Sequence, residues 1–259
     1  MKTIKRYINE RLVLSKNKTK TKHTLFPKTV RELKEMIKDE VKKNGVHCSL
    51  NHIDIYRLQD LDEVFMYSDF DGDISEWDTS NIKSMQGTFC WSEYTGKYGD
   101  ISNWDVSNVM YMNNIFFSSV YNGDISMWNV SNVINFTSAF KQANFDGDIS
   151  RWDVSKAKLM NGMFAQSKFT GKNGGLNNWD VSGVMNMETM FKACKIDCDL
   201  NNWNVSKVLN TYEMFYSSTY SKDLSTWVLN DKCTMKDMFT ACPLLNKAKM
   251  LPKGFKRMI

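Results

Sequence analysis

No stretch of this 259-residue chain approaches the run of about 20 apolar residues that a membrane-spanning helix needs. The first 26 residues also lack the apolar run of about seven or more residues that marks a secretory signal peptide. The sequence therefore predicts no membrane insertion and no signal peptide. It predicts cytoplasmic synthesis, with export only as part of a larger particle.

Histidine is scarce, and the cysteines lack the spacing of a metal site. The three histidines, His23, His47 and His52, have no cysteine or carboxylate partner at ligand spacing. The six cysteines do not recur at one repeat position, and Cys194 and Cys198 form a C-x3-C pair with no second pair. We therefore expect no metal site, no cofactor and free, buried thiols.

Basic residues are concentrated at the N-terminus. Residues 1–28 carry nine Lys or Arg and one Glu, a net charge of +8, whereas the rest has 25 basic and 28 acidic residues, a net charge of −3. Residues 1–27 are interpreted as a basic arm with a short amphipathic helix, and residues 1–24 as its tether to a larger assembly. The tethering residues are Ile4, Arg6, Tyr7, Ile8, Arg11 and Leu12.

A second helix is predicted directly after the arm, within an N-terminal cap that spans residues 28–52. Thr29 and Glu32 have the spacing of a capping box, and Asn44-Gly45 is a helix stop. The terminal units of a stacked repeat need a cap with a polar outer face, which this helix would supply.

Tryptophan marks a repeat, and a phenylalanine follows each one twelve residues later. The seven framework tryptophans are Trp77, Trp104, Trp128, Trp152, Trp179, Trp203 and Trp227. With a degenerate first unit, the units end at Phe65, Phe89, Phe116, Phe140, Phe164, Phe191, Phe215 and Phe239. The steps between tryptophans are 24 or 27 residues, which is typical of stacked repeats over residues 53–239, followed by a C-terminal cap at 240–259.

Each unit reads as a short strand, a bend and about two turns of helix. An Ile or Leu three residues before each Trp suits an inward-facing strand position, and Ser three residues after the Trp suits a helix N-cap. The following apolar residues, for example Val184, Met187, Met190 and Phe191, have helical spacing. The predicted fold is an α/β repeat solenoid of about eight strand–helix units with a helical N-terminal cap.

Two features of the repeat have alternative interpretations. An Asp stands four residues before most framework tryptophans, with Gly175 as the exception. This Asp row either binds calcium or accepts backbone N–H groups at a turn, and the turn is favoured. Repeated methionines either fill the core between units or form an adaptable binding surface, and the core is favoured.

The pattern W-D-V-S-N-V-x-x-M-x-x-M-F, preceded by F-x-G-D-I-S, resembles the BspA-like leucine-rich-repeat surface proteins, also called the mycoplasma lipoprotein-type repeat. The resemblance covers about residues 53–239. It implies a leucine-rich-repeat-like solenoid that serves adhesion or protein recognition, with no catalytic residues. Cellular members are exported. The chain also resembles proteins of crAss-like gut bacteriophages that lack a signal peptide and open with a pattern like that from Lys2 to Leu12.

These observations favour a non-enzymatic adhesion or protein-interaction module. We expect a virion-associated structural or host-recognition protein, tethered by its arm to a phage capsid, portal or tail. The solenoid surface would bind a host protein or glycan through residues that the sequence does not identify. The alternative is an intracellular effector or packaged cargo protein. No nucleophile–base or acid–base constellation points to an enzyme, and nucleic acid could bind only non-specifically through the arm.

Overall fold

The computed structural model describes residues 21–255, and one α-helix lies within that range. This helix, α1, spans Val30–Asn44, and two short 3₁₀ helices, Pro243–Asn246 and Ala248–Met250, lie near the C-terminus. The described range contains no strand and no sheet, only isolated parallel bridges. The predicted α/β solenoid of about eight strand–helix units with a helical cap is therefore wrong, because the repeat units contain neither of the predicted elements.

Each repeat unit instead makes one circuit of turns, here called a coil, which lies against the coils before and after it. Seven of the ten isolated bridges connect residues that stand five positions before the Phe that ends a unit. These residues are Asp60, Ser84, Tyr111, Asn135, Leu159, Asn186, Asn210 and Thr234. The pairing therefore runs mainly through the segments predicted to be helical, not through those predicted to be strands.

The backbone hydrogen bonds explain why these segments are not helices. The N–H groups of Met112, Asn114, Phe116 and Ser118 donate to carbonyls of the next coil at 2.8 to 3.0 Å. The intervening N–H groups donate to the carbonyl three residues earlier, as the N–H of Ile115 does to Met112 O at 3.2 Å. An α-helix needs each N–H to reach the carbonyl four residues earlier. Half of the donors here bind a neighbouring coil instead.

Each segment also holds two residues in the left-handed region, one two positions before and one two positions after the terminal Phe. Their φ angles lie between 51° and 65°. They are Glu63, Tyr67, Gly87, Trp91, Asn114, Ser118, Ser138, Gln142, Gly162, Gln166, Thr189, Ala193, Glu213, Ser217, Asp237 and Ala241. A residue other than glycine in the left-handed region costs about 1 to 2 kcal/mol. An isolated segment would therefore not keep this backbone conformation. The inter-coil hydrogen bonds hold it.

The core consists of columns of side chains that run along the stack. The eight terminal phenylalanines are buried, and the ring centroids of neighbouring coils are 5.4 to 5.8 Å apart. A second column, five residues further on, is also buried: Phe70, Tyr94, Tyr121, Phe145, Phe169, Ile196 and Tyr220. The methionines that stand one or four residues before a terminal Phe are buried too, except for the half-buried Met235, as their core interpretation predicts: Met85, Met112, Met160, Met163, Met187, Met190, Met214 and Met238.

The framework tryptophans join consecutive coils. Each is at most 5% exposed, and its indole Nε1–H donates to a backbone carbonyl of the preceding coil at 2.8 to 3.1 Å. From Trp104 onwards the acceptor is the Ile or Leu that stands three residues before the preceding framework tryptophan, such as Ile101 for Trp128. Because a buried donor without a partner is costly, this bond fixes the register between coils.

Helix α1 packs on the first coil. Thr29 Oγ1 accepts the N–H of Glu32 at 3.2 Å, as the capping box predicts. Leu33 and Ile37 are buried in the common core, and Gly45 ends the helix with φ 85°. At the other end of the stack, Phe255 packs edge-on against Phe239 with centroids 5.1 Å apart.

The glycine before the Asp row permits a close approach. A Cβ built on Gly147 would lie 2.8 Å from both Cε2 and Cζ of Phe145, and one on Gly123 would lie 2.6 Å from the Tyr121 hydroxyl. These rings of the second column therefore lie directly against the backbone of the glycine two residues later in the chain. A side chain at that glycine would displace the ring. This contact explains why Gly precedes Asp at these two places.

Candidate functional site: the ladder face

The segments around the terminal phenylalanines form one continuous surface, here named the ladder face. It comprises residues 60–67, 84–91, 111–118, 135–142, 159–166, 186–193, 210–217 and 234–241. Burial within one segment shows which side chains face outward. Met112 and Ile115 are buried, whereas Asn113 and Phe117 are partly exposed. The backbone hydrogen bonds between segments place equivalent residues of successive coils beside one another.

Four neighbouring segments of this face are nearly uncharged. They are named here the central band: 84–91, 111–118, 135–142 and 159–166. Lys141 is their one charged residue, whereas Asp, Glu, Lys and Arg make up 24% of the whole chain. The preceding segment holds Asp60, Asp62 and Glu63, so the neutrality belongs to the band and not to the whole ladder face.

Exposed aromatic rings line one edge of the ladder face. Tyr67 is 71% exposed and Trp91 is 47% exposed, and their ring centroids are 6.2 Å apart in a stacked arrangement. Phe117 meets Trp91 edge-on at 5.7 Å, and Lys141 Nζ lies 5.7 Å from the centre of the Phe117 ring. Apolar rings exposed together on a soluble protein are typical of an interaction site.

An amide row continues the same edge. Ser118 Oγ donates to Gln142 Oε1 at 3.1 Å, and Gln142 Nε2 donates to Gln166 Oε1 at 3.2 Å. Further across the band, Thr137 Oγ1 donates to Asn161 Oδ1 at 2.9 Å. These bonds join neighbouring coils and fix the orientation of polar groups that solvent can still reach.

The opposite edge of the ladder face carries exposed apolar side chains, interrupted by the exposed Lys83 and Lys158 at the same repeat position. Five side chains there are between 37% and 47% exposed: Met110, Tyr111, Leu159, Met185 and Leu209. They stand five or six residues before the terminal Phe in four of the coils. Met and Leu adapt to partners of varied shape, so this apolar edge has a different chemistry from the aromatic edge.

A groove of about 620 Å³ lies where α1 meets the first coil. Ile37, Val41 and Val64 supply its apolar lining, and Tyr67 stands beside them. The groove is open and shallow, and it extends the aromatic edge toward the N-terminal end of the stack.

The predicted Asp row lies at the turn that precedes each framework tryptophan. Its six aspartates accept the N–H of the residue two positions later at 2.8 to 2.9 Å: Asp73, Asp100, Asp124, Asp148, Asp199 and Asp223. This geometry supports the turn interpretation. Across residues 21–255, no cluster of three or more His, Cys, Asp or Glu side chains is placed to hold a metal ion.

Gly175 is the one position of this row without a carboxylate, and Gly175→Asp is expected to stabilise the protein by about 1 kcal/mol. The new carboxylate would accept the N–H of Asn177. A Cβ at Gly175 meets only the exposed Asn177 Oδ1 at 2.8 Å and Cys198 Cβ at 3.6 Å. Urea denaturation would measure the change, and Gly175→Ala would separate the backbone contribution. A loss of stability for Gly175→Asp relative to Gly175→Ala would contradict the turn role.

The cysteines are free, and five of the six are buried, with Cys48 half-buried. Burial raises the pKa of the Cys90 thiol to about 11 and that of the Cys194 thiol to about 12. At neutral pH these groups remain protonated and poorly nucleophilic. They act as small apolar side chains of the core.

The predicted site residues fall into two groups. The framework tryptophans lie in the core, as their repeat role requires, and do not reach the ladder face. The arm residues Ile4, Arg6, Tyr7, Ile8, Arg11 and Leu12 lie outside the described residues. Trp91, which sequence reasoning missed, is the exposed one of the eight tryptophans. Its position outside the Trp period was the available signal.

No helix within residues 21–255 is long and apolar enough to cross a membrane. The family described as "Mycoplasma protein of unknown function, DUF285" matches the chain three times in succession, over residues 31–144, 90–172 and 143–250. The matched ranges together cover most of the chain and include the whole ladder face. No curated protein and no solved structure matches it.

Proposed function

We propose that this chain, which belongs to the DUF285 family of proteins of unknown function, is a non-enzymatic recognition module. The ladder face is its binding surface. One observation carries the proposal: a nearly uncharged band, with exposed aromatic rings on one edge and the exposed Met110 and Leu159 on the other. A surface that extends over several coils suits an elongated protein or glycan, because its contacts repeat along the stack.

Site-specific cross-linking tests the surface directly. A photoreactive benzophenone side chain would replace Gln142, which is exposed in the central band, and in a second variant Asn202, which is exposed outside the ladder face. After irradiation in the cells that make the chain, we expect adducts from position 142 that excess unlabelled protein abolishes. We expect none of these adducts from position 202. Equal labelling from both positions, or none from either, would refute the ladder face as the binding surface.

We further propose that the arm tethers the module to a larger assembly such as a phage capsid, portal or tail. The high positive charge of residues 1–28 supports a contact with an acidic partner. The N–H of Thr21 donates to Glu76 Oε2 at 3.2 Å, and the N–H of Thr24 donates to His52 O at 2.9 Å. A deletion that tests the arm should therefore end at Lys20, so that these contacts with the coils are kept.

Mass spectrometry of purified particles, with and without protease treatment, would test this tether. The full chain should be present and cleaved if it is displayed, and its variant without residues 1–20 should be absent from the particles. Protection from protease would favour the alternative, a packaged cargo or effector protein that binds a host partner. Absence of the full chain from particles would refute the virion association.

A further inference from the structure

We propose that the central band binds a neutral glycan, with Trp91 as the ring on which a sugar unit stacks. The inference rests on the proposed function of the ladder face as a recognition surface, and it adds the chemical class of the ligand. The argument rests on the aromatic rings, on the absence of charge and on the hydrogen-bonded amides.

The aromatic edge offers a platform. The backbone N–H of Trp91 donates to Phe117 O at 2.8 Å, and the Trp91 ring contacts the rings of Tyr67 and Phe117. The face of an aromatic ring is electron-rich and attracts polarised C–H groups. A pyranose ring presents such C–H groups on one face. Trp91 is 47% exposed and therefore offers a contact for a sugar unit at the edge of the central band.

The near absence of charge in the band disfavours charged ligands. Nucleic acids and acidic polysaccharides are bound chiefly by several Lys or Arg side chains. The central band contains Lys141 alone, whose Nζ lies over the Phe117 ring, and the exposed Lys83 and Lys158 stand just outside it on the opposite edge. A basic partner would need carboxylates, and the band contains none. A neutral ligand is the class that this surface can bind without leaving unpaired charges.

The amides supply the polar contacts that sugar hydroxyls require. Gln142 and Gln166 are exposed, and the bonds from Ser118 to Gln142 and from Gln142 to Gln166 hold their side chains in one orientation. An amide offers both donors and acceptors, as a hydroxyl does. Polar groups that are ordered before binding lose less conformational entropy when the ligand arrives.

The middle of the band is less suited to a protein partner. The centres of protein interfaces are enriched in Tyr, Trp, Met and Arg, and they are poor in Ser. The corresponding positions here are Asn113, Asn114, Thr137, Ser138 and Asn161. These short polar side chains provide no large apolar anchor that a protein could bury.

Native affinity electrophoresis against soluble polysaccharides would test the inference. The panel comprises dextran, mannan, starch, xylan and a β-1,3-glucan, with heparin and polygalacturonate as polyanions. We expect at least one neutral polysaccharide to retard the full chain, and neither polyanion to do so. The same polysaccharide should protect Trp91 from acrylamide quenching. This signal is specific because the seven framework tryptophans are at most 5% exposed.

Three variants define the site. Trp91→Ala should weaken binding on the order of thirtyfold, as expected for a central aromatic contact, whereas Trp91→Phe should retain part of the affinity because a ring remains. Tyr56→Ala is the matched control, because Tyr56 is 53% exposed but lies outside the ladder face. It should bind as the unaltered chain does. Urea denaturation midpoints would show that all three variants fold.

Two outcomes overturn the glycan assignment. One is that no neutral polysaccharide binds, and the other is that Trp91→Ala binds as tightly as Tyr56→Ala. Cross-linking from position 142 separates this failure from that of the proposed function. If adducts form from position 142 but no neutral polysaccharide binds, the ladder face remains a recognition surface and its ligand is a protein. If neither adducts from position 142 nor binding of a neutral polysaccharide is observed, both proposals are refuted.

Discussion

Phe116→Ala is expected to lower the free energy of unfolding by about 3 to 5 kcal/mol, the usual loss for a fully buried phenylalanine. The Phe116 ring lies 5.5 Å from Phe89, 5.6 Å from Phe140 and 4.9 Å from Tyr121, measured between ring centroids. Its removal would open a cavity that interrupts the Phe column in the middle of the stack. The coils cannot close the gap, because the backbone hydrogen bonds on both sides fix their separation.

Phe117→Ala is the matched control, because the two phenylalanines are neighbours and the same atoms are removed. Phe117 points outward and is only half-buried, so we expect a loss of about 1 kcal/mol. Urea denaturation followed by circular dichroism would measure both variants. Similar losses would mean that the column does not carry the stability of the stack.

Deletion of one whole unit, residues 117–140, is expected to leave an intact stack, whereas deletion of residues 117–128 is expected to disrupt the stack at the junction. The first deletion joins Phe116 to Lys141, and Met112, Asn114 and Phe116 can then donate to the carbonyls of the following coil in the same register. The second removes half a circuit, so the shortened coil at the junction cannot pair in register with both of its neighbours.

Far-UV circular dichroism and urea denaturation would distinguish the two deletions. The 24-residue deletion should retain a cooperative transition with an m-value smaller by about a tenth, because 24 of 259 residues are gone. The 12-residue deletion should show a less cooperative transition with a lower midpoint, although it removes fewer residues. Equal behaviour of the two variants would contradict a stack in which each unit contacts only its neighbours.

The spacing of Trp and Phe predicted the repeat, and it also identified the residues that form its core columns. Local geometry was predicted wrongly for a physical reason. Turns that advance by three residues place Val184, Met187 and Met190 inward, as a helix would. The sequence offers little warning of left-handed backbone, because Gly87 and Gly162 are the only glycines among the sixteen positions that adopt it.

The candidate site needed the structure for a different reason. The absence of charge in the central band can be read from the sequence, but which side chains face solvent cannot, once the segment is assumed to be helical. Trp91, Phe117 and Gln142 become one surface only when the hydrogen-bond register between coils is known. The turn role of the Asp row could be predicted, since it depends on contacts within two residues.

The direction of the inter-coil hydrogen bonds has a mechanical consequence. They run from one coil to the next, so they lie along the stack and not across it. A pulling force between the two ends of the chain would load one pair of coils at a time, and the coils would peel away in order. Each released unit of 24 residues would add on the order of 80 Å of extended chain. A module held at one end and bound at the other could therefore lengthen under load before it detached.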